Sequence, residues 1–319
     1  MISRDPTELM AAAATGSRTA LARLLTYVES GGANQRAVAA LAYATRAPYV
    51  VGLTGPPGAG KSTLTDALIS ALLRSGHVAQ VSFDEVGVLC IDPSSPFSGG
   101  AILGDRIRMQ SHATNDAVFI RSMATRGHLG GLSLAVPDAL RVLGAAGFAL
   151  ALVETVGVGQ MEVDVASAAD TTVVVTNPGW GDAMQANKAG LLEVADVFVI
   201  NKADRAGVVE TRRDLEQMLD LGGPYEWRPP ILETVATTAA GVDSLLEAIG
   251  AHAAFLADGR LEGHRRRQAA RELDAVIAAS LHVRVRDLAH GAAYERALDD
   301  ILAGRTDPYR AADTLLSEP

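Results

Sequence analysis

The chain has 319 residues, a formal net charge of −9, 48% apolar and 20% charged side chains. That balance is globular, ample for a buried core, and argues against a general nucleic-acid binder. No apolar run approaches the ~20 residues of a membrane-spanning helix, the first residues show no signal peptide, and a single cysteine, Cys90, excludes a disulfide framework or a four-cysteine zinc site, so the expected compartment is the cytoplasm.

The first ~45 residues read as two helices. Leu9, Met10 and Ala13, then Leu21, Leu24, Leu25 and Val28, recur at helical spacing; Gly31-Gly32 breaks the pattern and Gln35 to Thr45 resumes it. From Pro48 the rhythm changes. Short apolar, β-branched runs appear at Tyr49 to Thr54, Val86 to Ile91, Ala117 to Ile120, Ala149 to Val153, Thr171 to Thr176, Val197 to Ile200 and Ile231 to Val235. Helical stretches fill most gaps: Ser62 to Arg74, Gly131 to Ala146, Asp182 to Ala195, Glu210 to Leu221 and Val242 to Leu256. Strands alternating with helices predict an α/β fold with a mostly parallel sheet covered on both faces. After Asp258 the strands stop, and helices are expected over Leu261 to His290, Ala292 to Ala303 and Pro308 to Ser317. The expected organisation is a helical N-terminal arm (1–46), a nucleotide-binding domain (47–257) and a helical C-terminal arm (258–319).

The 28 basic residues include only three lysines, Lys61, Lys188 and Lys202. Lysine is a compact point charge where arginine is a planar fork, so a chain this rich in arginine draws attention to what surrounds its lysines. Lys61 lies in Gly55-Pro56-Pro57-Gly58-Ala59-Gly60-Lys61-Ser62, which fits G-x-x-x-x-G-K-[ST] between a strand and a helix. Glycines let successive N–H groups face the phosphates, and the helix N-terminus favours the anion. Lys61 is expected to reach the β/γ-phosphates and Ser62 to bind Mg²⁺.

Lys202 lies in Asn201-Lys202-Ala203-Asp204, the N-K-x-D pattern of guanine recognition. The Asp204 carboxylate is acceptor-only, and guanine offers N1–H and N2–H on one edge; adenine cannot offer that pair. The Lys202 stem is expected along the base and Asn201 to tie this loop to the phosphate loop. Thr234 to Thr238 is similar to the loop that supports guanine O6 through a backbone N–H, with Val235 in place of the usual serine and Ala236 as the donor.

Asp92 at a strand end, Asp105 in the following loop and Glu154 ahead of Thr155-Val156-Gly157 are acids placed to hold Mg²⁺ directly or through water, with the Gly157 N–H on the γ-phosphate. Asp92 before Pro-Ser-Ser also fits a plain turn former, and Glu154 a helix cap.

In order, G-P-P-G-A-G-K-S-T, D-P-S-S-P, G-G-A-I-L-G-D-R, T-R-G-H-L-G-G, E-T-V-G-V-G-Q and N-K-A-D resemble the methylmalonyl-CoA-mutase-associated GTPases, the MeaB/ArgK group within the SIMIBI class of P-loop GTPases. The resemblance covers nearly the whole chain. It implies a homodimeric GTPase that binds GTP/GDP and Mg²⁺ and chaperones an adenosylcobalamin-dependent acyl-CoA mutase, gating cofactor loading from a cobalamin adenosyltransferase and protecting or reactivating the mutase. In such proteins the C-terminal arm supplies dimer contacts. Carried over, Lys61, Ser62 and Thr63 bind phosphate and metal, Asp105 is a direct Mg²⁺ ligand after Ser62, and Asp92 and Glu154 complete the metal and water environment. Asp182, Gln185 and Lys188 fall in a segment that implies a mobile partner-sensing loop, against the plainer reading of a strand-to-helix connection. Two departures stand out: Gln80 to Glu85 reads as extra sequence, and Pro96-Phe97 replaces polar residues. The rival functions are a kinase or ATPase linked to amino-acid transport, which N-K-A-D opposes, a nickel-insertion metallochaperone, which the lone cysteine and unspaced histidines oppose, and a non-hydrolysing scaffold.

Overall fold

The computed structural model describes residues 4–92, 109–112, 114–124, 131–155, 167–179, 194–288 and 291–317. Three helices come first: α1 (Pro6–Ala14), α2 (Arg18–Ser30) and α3 (Gly32–Ala42). Two were expected. The extra boundary is Thr15-Gly16-Ser17, where Gly16 takes φ +96° and the Ser17 hydroxyl accepts the Ala20 N–H. The Asp5 carboxylate caps α1 by accepting the Thr7 and Glu8 N–H groups, which hold its pKa below the ordinary value.

β1 (Tyr49–Thr54) follows and leads through the phosphate loop into α4 (Lys61–Ser75). The segment that read as extra sequence belongs to a short antiparallel hairpin, β2 (His77–Val78) and β3 (Val81–Ser82), and it buries Phe83 in the core. Then come β4 (Val86–Asp92), β5 (Val118–Ala124), α5 (Gly131–Ala145), β6 (Leu150–Thr155), β7 (Thr171–Thr176), β8 (Val197–Asn201), α6 (Val208–Leu221), β9 (Ile231–Thr234) and α7 (Val242–Ala257). Seven strands form one sheet in the order β5-β4-β6-β1-β7-β8-β9, and every described pairing within it is parallel. β5 runs four residues beyond its expected end. Its charged Arg121 ends the apolar run, but it donates to Glu29 at 2.9 Å and Thr26 at 3.1 Å on α2. The helix expected over Asp182 to Ala195 lies almost wholly outside the described residues.

Alternate strand residues feed opposite faces, as a parallel sheet covered on both sides requires. Val51 and Leu53 face Leu64, Leu68 and Leu72 of α4 and Leu245 and Ile249 of α7. Val50, Leu89 and Ile91 share a second core with Leu9, Leu21, Leu24, Leu25 and Val38 of the first three helices and Leu140 and Leu143 of α5. A third cluster packs Phe198 and Ile200 on Leu215 and Leu219 of α6.

The chain divides into two compact units, 1–271 and 272–319. The N-terminal helices thus belong to the same unit as the sheet. α8 (Leu261–Leu288) begins in the first unit and runs through the boundary. The second unit also holds α9 (Ala292–Leu302) and α10 (Pro308–Ser317), the latter capped by Asp307, whose carboxylate accepts the Tyr309 and Arg310 N–H groups. Among the described residues, no helix is long and apolar enough to cross a membrane.

Candidate functional site

β1 is the central strand of the sheet, and its C-terminal end opens into the phosphate loop. Gly55 takes φ +135°, and a Cβ there would lie 2.0 Å from the Val175 carbonyl oxygen. Gly60 takes φ +91°, and its Cβ would lie 2.4 Å from Asn201 Nδ2. Both positions therefore admit only glycine. Gly60 puts no side-chain cap on the first turn of α4, which leaves those N–H groups for an anion. Pro57, Gly58 and Thr63 are exposed, while Ala59 is buried.

Lys61 is the first residue of α4 and is buried. Its Nζ curls back over the loop and donates to the Gly55 carbonyl at 2.6 Å and the Pro56 carbonyl at 3.0 Å. Beside it the Ser62 hydroxyl donates to Glu154 Oε1 at 2.5 Å. Glu154 is 1% exposed near the end of β6, registered between Leu53 of β1 and Cys90 of β4. A hydroxyl and a carboxylate side by side are hard oxygen donors of the kind Mg²⁺ takes, so these two residues fit that metal. The backbone of Asp92 ends β4, next to β6. Asp105 and Gly157 lie outside the described residues, as do Asp182, Gln185 and Lys188. The Thr176 hydroxyl, buried at the end of β7, has no hydrogen-bond partner among the described residues.

The N-K-x-D end of the site is built from β8 and β9. Asn201 closes β8 and uses both ends of its amide. Its Nδ2 donates to the Ala59 carbonyl at 2.8 Å, across 142 residues of sequence. Its Oδ1 accepts the Thr234 hydroxyl and the Ala236 N–H, each at 3.1 Å. The Ala236 N–H, assigned from sequence to guanine O6, is thus directed at Asn201 here. Lys202 takes φ +59° and its Nζ donates to the Gly58 carbonyl at 2.6 Å. Asp204 is exposed. Phosphate loop and base loop are therefore joined by two side chains. Sequence reading did not single out Thr234; its signal is the register that sets it opposite Asn201 in the β8–β9 pair.

A family model described as methylmalonyl-CoA mutase-associated GTPase MeaB matches residues 21–289. A GTPase-named protein of Pyrococcus abyssi is 47% identical over 317 residues, covering 98% of this chain and 96% of its own. The fused isobutyryl-CoA mutase of Cupriavidus metallidurans is 41% identical over 206 residues, 64% of this chain and 18% of that protein. The crystal structure of a LAO/AO transport system kinase superposes with a TM-score of 0.71 at 27% identity, covering 99% of this chain and 98% of its own. A phosphate loop cross-braced to an N-K-x-D loop is the architecture of a guanine-nucleotide hydrolase, and the chain belongs to the MeaB family of methylmalonyl-CoA mutase-associated GTPases.

Proposed function

We propose that this GTPase serves as the chaperone of an adenosylcobalamin-dependent acyl-CoA mutase, loading or protecting its cofactor. The observation that carries the reading is the Cupriavidus metallidurans relative, in which a matching segment is part of an isobutyryl-CoA mutase chain. The family description, which names a mutase, supports it. Methylmalonyl-CoA mutase is the default client.

In this reading water attacks the γ-phosphate in line, and the protein works by positioning and charge stabilisation. Lys61 exchanges its two loop carbonyls for phosphate oxygens, and the α4 N–H groups hold the β-phosphate. Ser62, Asp105, Asp92 and Glu154 would hold Mg²⁺, which when bound would supply charge neutralisation to the phosphates. Glu154 keeps the Ser62 hydroxyl oriented before metal arrives. Asp204 reads the base edge, with Lys202 along its plane and Asn201 and Ala236 bracing the loop. Asp182, Gln185 and Lys188 relay the presence of the mutase. A homodimer forms through the C-terminal arm, whose α8 exposes Leu273, Val276, Ile277 and Leu281.

The test is GTP turnover with and without each candidate mutase, paired with co-purification. Acceleration by one mutase, lost in Lys188→Ala, is the expected result. Neither complex nor acceleration with any mutase would defeat the chaperone reading. A transport kinase is the second reading, favoured by the name of the similar crystal structure; preference for ATP over GTP and phosphate transfer to a protein would establish it instead.

A further inference from the structure

At the end of the sheet opposite the phosphate loop, four polar side chains from four elements form one hydrogen-bond chain. The Tyr49 hydroxyl, at the start of β1, lies 2.5 Å from Thr171 Oγ1 at the start of β7. Thr171 Oγ1 lies 2.8 Å from His252 Nδ1 on α7. His252 Nε2 lies 3.3 Å from Oδ1 of Asp196, the residue before β8. Tyr49, Thr171 and His252 are buried, and Asp196 is partly so. The nucleotide site uses none of them.

The direction of this chain follows from counting protons. With Asp196 ionised and His252 neutral, Nε2–H donates to Asp196, Nδ1 accepts from Thr171, and Thr171 accepts from Tyr49. Every donor is satisfied. An added proton is disfavoured on Asp196 Oδ2, where it would weaken the bond accepted from the Thr172 N–H at 2.7 Å. It goes to the Asp196 Oδ1–His252 Nε2 contact, and on whichever partner it settles, Nδ1 acquires a hydrogen. Thr171 must then accept from His252 and turn its own proton toward Tyr49. The Tyr49 hydroxyl is left without an acceptor, because among the described residues Thr171 is its one partner. A buried donor left unpaired is costly.

The surrounding charges come from each packed element. Asp170, ahead of β7, accepts the Val50 N–H at 2.9 Å and pairs with Arg265 of α8 at 3.3 Å. Those two charges balance, which leaves Asp196 as the unmatched acid. His264 of α8 lies 3.1 Å from the Ala169 carbonyl, and Gln268 donates to the same oxygen at 2.8 Å. Arg265 also donates to the Pro48 carbonyl at 3.3 Å. The first turns of α8 thus grip the residues directly before Tyr49 and Thr171. Trp227 seals the outside: its indole N–H donates to the Asp196 carbonyl at 2.8 Å and its ring lies 5.0 Å from that of His252.

We propose that Tyr49, Thr171, His252 and Asp196 form a single-proton relay that reverses direction on protonation, a pH-sensitive joint where α8 leaves the sheet. Burial pushes the Asp196 carboxyl up to about 7 and, with the field of His264, pulls His252 down to about 4, which sets the uptake near neutral pH.

The test uses the full chain carrying Trp180→Phe, which leaves Trp227 as the sole tryptophan. Its emission, followed from about pH 8.5 to about pH 5.5, is expected to show a one-proton transition near neutrality. In the parent the Tyr49 Cζ resonance is expected to follow pH with the same midpoint as Trp227 emission; Thr171→Val cuts the chain between Tyr49 and His252, so there the Tyr49 resonance is expected to lose the transition while Trp227 emission keeps one. Asp196→Asn is expected to abolish the transition; should that variant fail to fold, the Tyr49 resonance in the parent and in Thr171→Val decides alone. No transition, a transition that survives Asp196→Asn, or a Tyr49 resonance that ignores pH in the parent or still follows it in Thr171→Val would overturn the relay.

Discussion

Asn201 spends its whole amide on joining two loops, donating to Ala59 and accepting from Thr234 and Ala236. The two donors on Oδ1 decide which way the amide points. Thr234→Val removes one of them at nearly constant volume and is expected to cost about 1 kcal/mol of stability, read by urea unfolding, and to weaken GTP binding. In the proposed reading Asp204 carries the base selectivity through the chemistry of its two acceptor oxygens. Asp204→Asn turns one acceptor into a donor that faces guanine N2–H, and GTP affinity is expected to fall at least about 30-fold, or roughly 2 kcal/mol. The same variant suits xanthine, whose C2 carbonyl accepts that donor. Competition between GTP and XTP measures both effects. These roles were legible in the sequence because the motif residues are close together. The role of Thr234 was not, since only strand register sets it against Asn201.

At the scale of elements, close approach explains where the chain tolerates no side chain. Gly144 sits in the last turn of α5, where a Cβ would lie 2.5 Å from the Arg46 carbonyl oxygen and 3.0 Å from the Pro48 ring. Alanine normally favours a helix, yet Gly144→Ala is expected to destabilise the protein by about 1–3 kcal/mol, because a backbone atom cannot step aside. Thermal unfolding would detect that loss, and a rise in midpoint would refute the packing account. β5 shows the converse case. Arg121 and Ser122 hid the second half of the strand from a reading based on apolar runs. The Glu29 carboxylate on α2 makes an arginine acceptable there by pairing with it at 2.9 Å. Most other boundaries were legible to within a residue or two, since apolar runs and flanking glycines are local signals.

Across the whole molecule, two titratable groups oppose each other at the base of the sheet. Asp196 is raised from 3.8 to about 7, so the folded state keeps a proton that the unfolded chain releases. Its contribution to stability is present below about pH 4 and is lost as pH rises through about 7. His252 is lowered from 6.5 to about 4, so its contribution is present above about pH 6.5 and is lost as pH falls through about 4. The slopes cancel between those limits. The expected result is a nearly flat wild-type profile there, a stability that falls with rising pH in His252→Gln, and one that rises with pH in Asp196→Asn. Urea unfolding at several pH values checks all three. The sequence by itself determined the parallel α/β class, the phosphate loop and the guanine motif, because each rests on residues adjacent in the chain. Only the tertiary structure decided that Ser62 meets Glu154 across 92 residues and that the first three helices cover one face of the sheet. It also decided that Tyr49, Thr171, Asp196 and His252 meet at its base. Those contacts depend on strand order: with β1 between β6 and β7, segments far apart in sequence become neighbours, and no local pattern encodes that adjacency.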